Sequence, residues 1–179
     1  MKLNREALKH YLDTTFGLDA SSAKFAIIGD DIEEMSVDLN PDTETKKNIL
    51  GETKTQDNGY EPTIDADPFY ADKDNPLYPK LRDIAMDRKK GDECKTLLLE
   101  VIVEDTSAEK HLAYIEEVIV KPQSYGGGTE GVNIPFNIAA DGKRTKGYVT
   151  ADSLKTGSPT FTAGEISPQT TDSKKAVSA

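Results

Sequence analysis

The sequence predicts a mainly β (α+β) fold with one flanking α-helix and extended terminal arms. Three observations carry that expectation. Between residues 112 and 140, two alternating runs flank a glycine-rich stretch. Val118 and Val120 oppose Glu117, Ile119 and Lys121, while Val132, Ile134, Phe136 and Ile138 oppose Asn133, Pro135 and Asn137. A period of two is what a half-buried sheet requires, because successive side chains leave opposite faces. Residues 96–104 form the most apolar run, with Leu97, Leu99, Val101 and Val103 opposed to Leu98, Glu100, Ile102 and Glu104. One longer segment, 76–89, repeats instead at helical spacing through Leu77, Leu81, Ile84, Ala85 and Arg88.

Taken in order, residues 1–23 read as an N-terminal arm. Within it, Leu3, Ala7, Leu8, Tyr11 and Leu12 fall on one side of a short helix over 1–16. Residues 24–150 read as the β domain. It opens with strands at 25–28 and 32–39, joined through Gly29-Asp30-Asp31, with a bulge at Glu33-Glu34. The polar stretch 43–59 reads as a long projecting loop, relieved only by Ile49 and Leu50. Tyr60, Pro62, Ile64 and Ala66 alternate as a further strand. The helix over 76–89 has Asn75 to cap it, Pro76 at its first position and Gly91 just past its end. Pro135 argues for an edge or bulge, and Asp141-Gly142 signals a tight hairpin turn into 143–150. Residues 151–179, rich in Ser, Thr, Gly, Pro and Lys, read as a flexible C-terminal arm in which Phe161 and Ile166 are potential anchors.

Length and composition bound the function. The chain has 179 residues, 36% hydrophobic and 30% charged, enough for one domain with a modest core plus arms. The 32 acidic residues against 22 basic ones, net −10, argue against a nucleic-acid clamp, whose affinity comes from cations on phosphates. The single cysteine, Cys94, excludes an intramolecular disulfide and a cysteine-based metal knuckle, and reads as a small buried hydrophobe. No apolar run approaches the roughly 18–20 residues of a membrane-spanning helix. The charged N-terminus lacks the apolar region of a signal peptide, so a soluble product made in the cytoplasm is expected.

No constellation points to catalysis, and no catalytic, cofactor-binding or metal-ligating residue is assigned. Gly126, Gly128 and Gly131 match a dinucleotide fingerprint in spacing, but they lead into a strand rather than a phosphate-facing helix. Asp65, Asp67, Asp72 and Asp74 cluster, yet no Gly stands at the sixth position nor Glu at the twelfth of a calcium loop. His10 and His111 have no motif partner, and Glu116 and Glu117 lie on opposite faces of one strand. The acids suit another role: on the inner wall of a closed tube they would repel phosphates and let nucleic acid slide.

Three segments carry a family likeness. GDDIEEMSVDLNPDTETKKNILGE, GYEPTIDADPFYADKDNPLYPKLRDIAMDRKKGDECKT and EEVIVKPQSYGGGTEGVNIPFNIAADGKRTKG resemble the major tail (tail tube) proteins of long non-contractile-tailed phages and prophages of Gram-positive bacteria. The likeness covers residues 1–147. It implies a β-sandwich or barrel-like tail tube fold, assembled into hexameric rings that stack into a DNA conduit. It further implies that 43–59 is an inter-ring loop, that the termini are assembly arms and that acids line the lumen. The implied partners are other copies of the chain, a tail-tip complex, a tape-measure protein and a tail terminator; the implied location is the virion tail. An alternative from another class is a β-sandwich adhesin or carbohydrate-binding module. It is weakened by the absence of Trp and the scatter of seven Tyr and five Phe.

Overall fold

A computed structural model describes residues 1–166. Its body is a nine-stranded antiparallel sheet that curls into a half-barrel. Strands in chain order are β1 (Leu8–Asp13), β2 (Phe25–Ile28) and β3 (Val37–Asp38); β4 (Pro41–Lys47), β5 (Thr53–Tyr60) and β6 (Thr63–Ala66) follow. Then come α1 (Tyr78–Asp87), β7 (Lys95–Ile102), β8 (Lys110–Pro122), β9 (Phe136–Ala140), β10 (Thr145–Thr150), α2 (Ala151–Lys155) and β11 (Thr162–Ala163). The main path runs β2-β1-β7-β8-β9-β6-β3, with β10 and β11 branching from β8, while β4 and β5 form a separate two-stranded sheet.

The central strands β1, β7 and β8 are covered on both faces. Leu12, Leu98, Val118 and Val120 point into the inside of the curl, where Ile64, Phe136 and Ile138 from the far strands meet them. Leu77 and Leu81, at and within the start of α1, are fully buried in the same cluster and cover it. Tyr11, Leu97, Leu99, Val101, Ala113 and Ile115 point outward into a second core. Burying an aliphatic side chain of this size contributes about 1.5–3 kcal/mol, so each face is a substantial source of stability.

Double burial explains the first departure from expectation. Residues 1–16 form no α-helix: after a 3-10 turn at Arg5–Ala7 they enter β1, paired with β2 on one edge and β7 on the other. A strand covered on both faces is apolar at successive positions, and Tyr11 beside Leu12 imitates a helical stripe. The strand expected over 32–39 shrinks to Val37–Asp38. The preceding residues cross from β2 at one edge to β3 at the other, with Ile32 and Met35 packing into the inner core. The stretch 43–59 is a ladder and not a loop, pairing from Pro41↔Tyr60 to Lys47↔Thr53 with a bulge at Asp42/Thr43. Polar, threonine-rich sequence conceals it, because neither of its faces is buried.

The Asp141-Gly142 hairpin also gives way. β9 and β10 do not pair with each other; they lie end to end along one edge of β8, β9 against 118–122 and β10 against 110–115. A 13-residue strand seats both, and its other edge takes β7. The link is held on β8 by the Asp141 amide donating to the Glu117 carbonyl at 2.9 Å. Gly142 lies so close there that a Cβ would come within 2.8 Å of the Glu117 Cβ.

The helix expected over 76–89 spans Tyr78–Asp87, with Asn75 Oδ1 accepting from the Leu77 amide. Arg88, in the left-handed conformation at φ 50°, ends it ahead of Gly91. The segment expected as a flexible arm is ordered over 151–166. Thr150 caps α2, and β11 pairs with Gly147 and Tyr148 of β10. Leu154 and Phe161 pack on the outer core, on this same chain. Residues 167–179 lie outside the described part.

Candidate functional site

A polar row crosses the otherwise apolar inner face. Strand register places Ile28, His10, Glu100 and Tyr114 side by side on β2, β1, β7 and β8. His10 Nε2 lies 2.9 Å from Glu100 Oε1, and both side chains are almost fully buried. Arg144, from the β9–β10 link, bridges the other Glu100 oxygen and Glu116, the latter at 2.6 Å, and stacks over the Tyr114 ring at 4.5 Å. Burial pushes the Glu100 carboxyl up, but the His10 hydrogen bond and the Arg144 charge outweigh it and hold its pKa below the ordinary value. The row is therefore a charged clasp across four elements. Its members stand at 10, 100, 116 and 144, too far apart in sequence for a motif. The legible hint was a glutamate inside the most apolar strand.

Glu117, on the opposite face of β8 from Glu116, joins a different group. Lys95 reaches Asp141 at 2.9 Å, Asp92 at 3.2 Å and Glu117 at 3.4 Å. Hydrogen bonds that Lys95 donates to these three carboxylates, Asp141 foremost, raise its pKa. His111 is buried, and desolvation lowers its pKa against the opposing pull of Asp105. Cys94, the last residue of a 3-10 turn just before β7, is fully buried.

The aspartates before α1 serve local structure. Asp65 accepts from the Asn137 amide at 2.6 Å, Asp67 from the Asn133 amide at 3.1 Å, and Asp72 from the backbone of Asp74 at 2.9 Å. Among the described residues no group of three or more His, Cys, Asp or Glu is placed to hold a metal ion. The glycine stretch 126–131 leads to Asn133, which bridges Tyr70 and Gly126, and then to β9 rather than to a helix. Tyr70 closes this loop by donating to Glu130 at 2.9 Å.

The most conspicuous surface element is the β4–β5 hairpin. Nearly every residue of both strands is exposed. Its tip is tied by Asn48, whose Oδ1 accepts from the Leu50 and Glu52 amides at 3.0 and 2.9 Å. That turn leaves Ile49 fully exposed and Leu50 79% exposed. A two-stranded hairpin without a packed face is marginal in water, and exposed aliphatic side chains at its tip add to that cost.

The fold that frames these groups is a curled antiparallel half-barrel with few helices and a projecting hairpin. No protein-family model and no curated protein matches the chain. Among solved structures, it is similar to a chain of the tail of an empty GTA particle with C6 symmetry. The TM-score is 0.53 at 16% identity, over 80% of this chain and 98% of that one. A chain of the anti-feeding prophage tube-terminating cap matches at TM-score 0.49 and 10% identity, over 82% of this chain and 91% of that one. A sheath/tube terminator chain of the extracellular contractile injection system PVC matches at 0.46 and 10%, over 82% and 96%. The last two are too distant to bear on function. At these identities the likeness is one of fold.

Proposed function

We propose that the chain is a structural subunit of a phage-tail-like tube. In this reading it self-assembles into hexameric rings that stack into a conduit for DNA ejection. The observation that carries the reading is the hairpin: a well-packed body presents an unsupported two-stranded sheet whose exposed tip gains most by burial against another subunit. The fold shared with a chain of a six-fold symmetric tail supports it. So does the net charge of −10, which disfavours specific binding of nucleic acid and suits passage through an acidic lumen. The partners are other copies of the chain, then a tail-tip complex, a tape-measure protein and a tail terminator. The location is the virion tail, after synthesis in the host cytoplasm. The narrower attribution, to long non-contractile tails of Gram-positive phages, is supported by the three sequence segments quoted above. The reading is non-enzymatic and uses no cofactor or metal.

Negative-stain electron microscopy across a concentration series tests it. Rings or hollow tubes with a central channel are the expected result. A subunit that stays monomeric even with a tail-tip complex added, and binds a sugar saturably, would replace this reading with the adhesin module.

A further inference from the structure

The hairpin tip needs a receptor, and one cavity has the matching chemistry. A cavity of about 370 Å³ opens between β1, β2 and the 29–35 crossing. Leu8, Ile27, Ile28, Ile32 and Met35 give it an apolar lining, and Glu6, Asp30 and Glu33 stand around it. The geometry points to this cavity as the seat for the Ile49–Leu50 tip of a second copy of the chain, a pairing that rests on the tube reading.

Four observations converge. The cavity has room for two branched aliphatic side chains, and Ile49 and Leu50 are among the exposed large hydrophobics of the molecule. The unpaired charges are complementary. At the tip, Glu44 pairs with Lys46 at 3.1 Å, while Glu52, which accepts from the Asn48 amide at 2.8 Å, Lys47 and Lys54 have no ion pair among the described residues, a net positive balance. Around the cavity, Glu6, Asp30 and Glu33 have no ion pair among the described residues. Arg5, which also lines it, is engaged by the Leu8 and Met35 carbonyls at 2.6 and 3.0 Å. Arg5 keeps its charge in those bonds, so two cations, Arg5 and Lys9, stand in the lining against three carboxylates, a net negative balance.

The third observation is backbone. Among the described residues β2 pairs only with β1, which leaves its other edge free beside the cavity, as are the outer edges of β4 and β5. Strand addition at such an edge supplies main-chain hydrogen bonds while pockets take the side chains. The fourth is a buried atom with an unmet need. His10 lines the cavity, its Nε2 is engaged by Glu100, and its Nδ1 has no hydrogen-bond partner among the described residues. A buried polar atom without a partner is costly, and this one lies in the wall of the cavity. Tip and cavity are different patches of one surface, so the contact is head-to-tail and propagates from copy to copy.

Disulfide trapping tests the pairing. Leu50→Cys and Ile27→Cys are made in separate chains, both at exposed positions, while the native Cys94 is fully buried. The variants are mixed at concentrations where the protein assembles and oxidised with copper phenanthroline. The expected product is a covalent heterodimer in the mixture. A control pairing Leu50→Cys with Tyr125→Cys, another exposed site, should give at least tenfold less. Asp30→Lys with Glu33→Lys in the Ile27→Cys chain should cut the yield about tenfold, and Lys47→Glu with Lys54→Glu in the Leu50→Cys chain should restore it. Rings or tubes that form with no 50–27 crosslink above the control would overturn this seat and leave the tube reading standing. A protein that neither assembles nor crosslinks would overturn both. A double variant, Leu50→Cys/Ile27→Cys, that crosslinks within one chain at high dilution would show the cavity to be filled by its own hairpin and would also overturn the pairing.

Discussion

Arg144 is where a single side chain decides the most. Glu100 and Glu116 are each only 8% exposed, and Arg144 neutralises both from a position 41% exposed at the mouth of the curl. Removing one partner of a buried ion pair costs about 3–5 kcal/mol, because the remaining charge stays desolvated. Arg144 is itself partly in water and His10 still serves Glu100, so Arg144→Met should destabilise by less, about 2 kcal/mol in urea unfolding. The pH dependence has a defined sign. A carboxyl whose folded pKa lies below its unfolded value stabilises the fold above the unfolded value, near 4.3, and that contribution is lost as pH falls through the folded pKa. Glu100 is such a group, and without Arg144 its pKa rises, so the variant should lose less stability on acidification below about pH 4 than the parent. An unchanged acid limb would mean that Arg144 does not govern Glu100. The sequence showed an acid at position 100 in an apolar strand but not its partners. Those come from β1, β8 and the β9–β10 link, and only tertiary register brings them together.

Elements were legible where the apolar pattern kept the period of the structure or ran long enough to name a strand by itself. α1 and β8 alternate with their period, and β7, though buried on both faces, is a long apolar run. β1 was masked by burial on both faces, and the β4–β5 hairpin by exposure on both. The end-to-end placement of β9 and β10 was masked differently: an Asp-Gly pair signals a local turn, and only the length of β8 reveals a competing ladder. The C-terminal segment follows the same logic, since Phe161 had no visible partner until Gly147 supplied the space. A Cβ at Gly147 would lie 2.2 Å from the Thr162 carbonyl oxygen and 2.5 Å from the Phe161 ring. Gly147→Ala should therefore unseat β11 and Phe161 while β10 keeps its ladder to β8. Limited proteolysis should cut 156–166 far faster in the variant, with the rest of the chain still resistant. Equal cutting rates would show that β11 is not held by this close approach.

At the scale of the whole molecule, the body and the hairpin are separable. The body is closed by two cores that draw on every strand of the main path, whereas no residue of β4 or β5 belongs to either core. The hairpin contributes no buried apolar surface to the subunit, so its own burial cannot be why the subunit folds. Its exposed tip, polar threonine ladder and unpaired lysines acquire a physical role only against another surface. Deleting residues 43–59 should accordingly leave the thermal unfolding midpoint within about 3 °C of the parent, the range of a change under about 1 kcal/mol in a domain of this size. The same variant should form no tubes by electron microscopy, at concentrations where the parent does, because stacking has lost its projecting arm. Single rings could still form through other contacts, and their presence would separate lateral closure from stacking. Tubes of normal length from the deletion variant would show that the hairpin is dispensable, and the observation that carries the proposed function would fall with it.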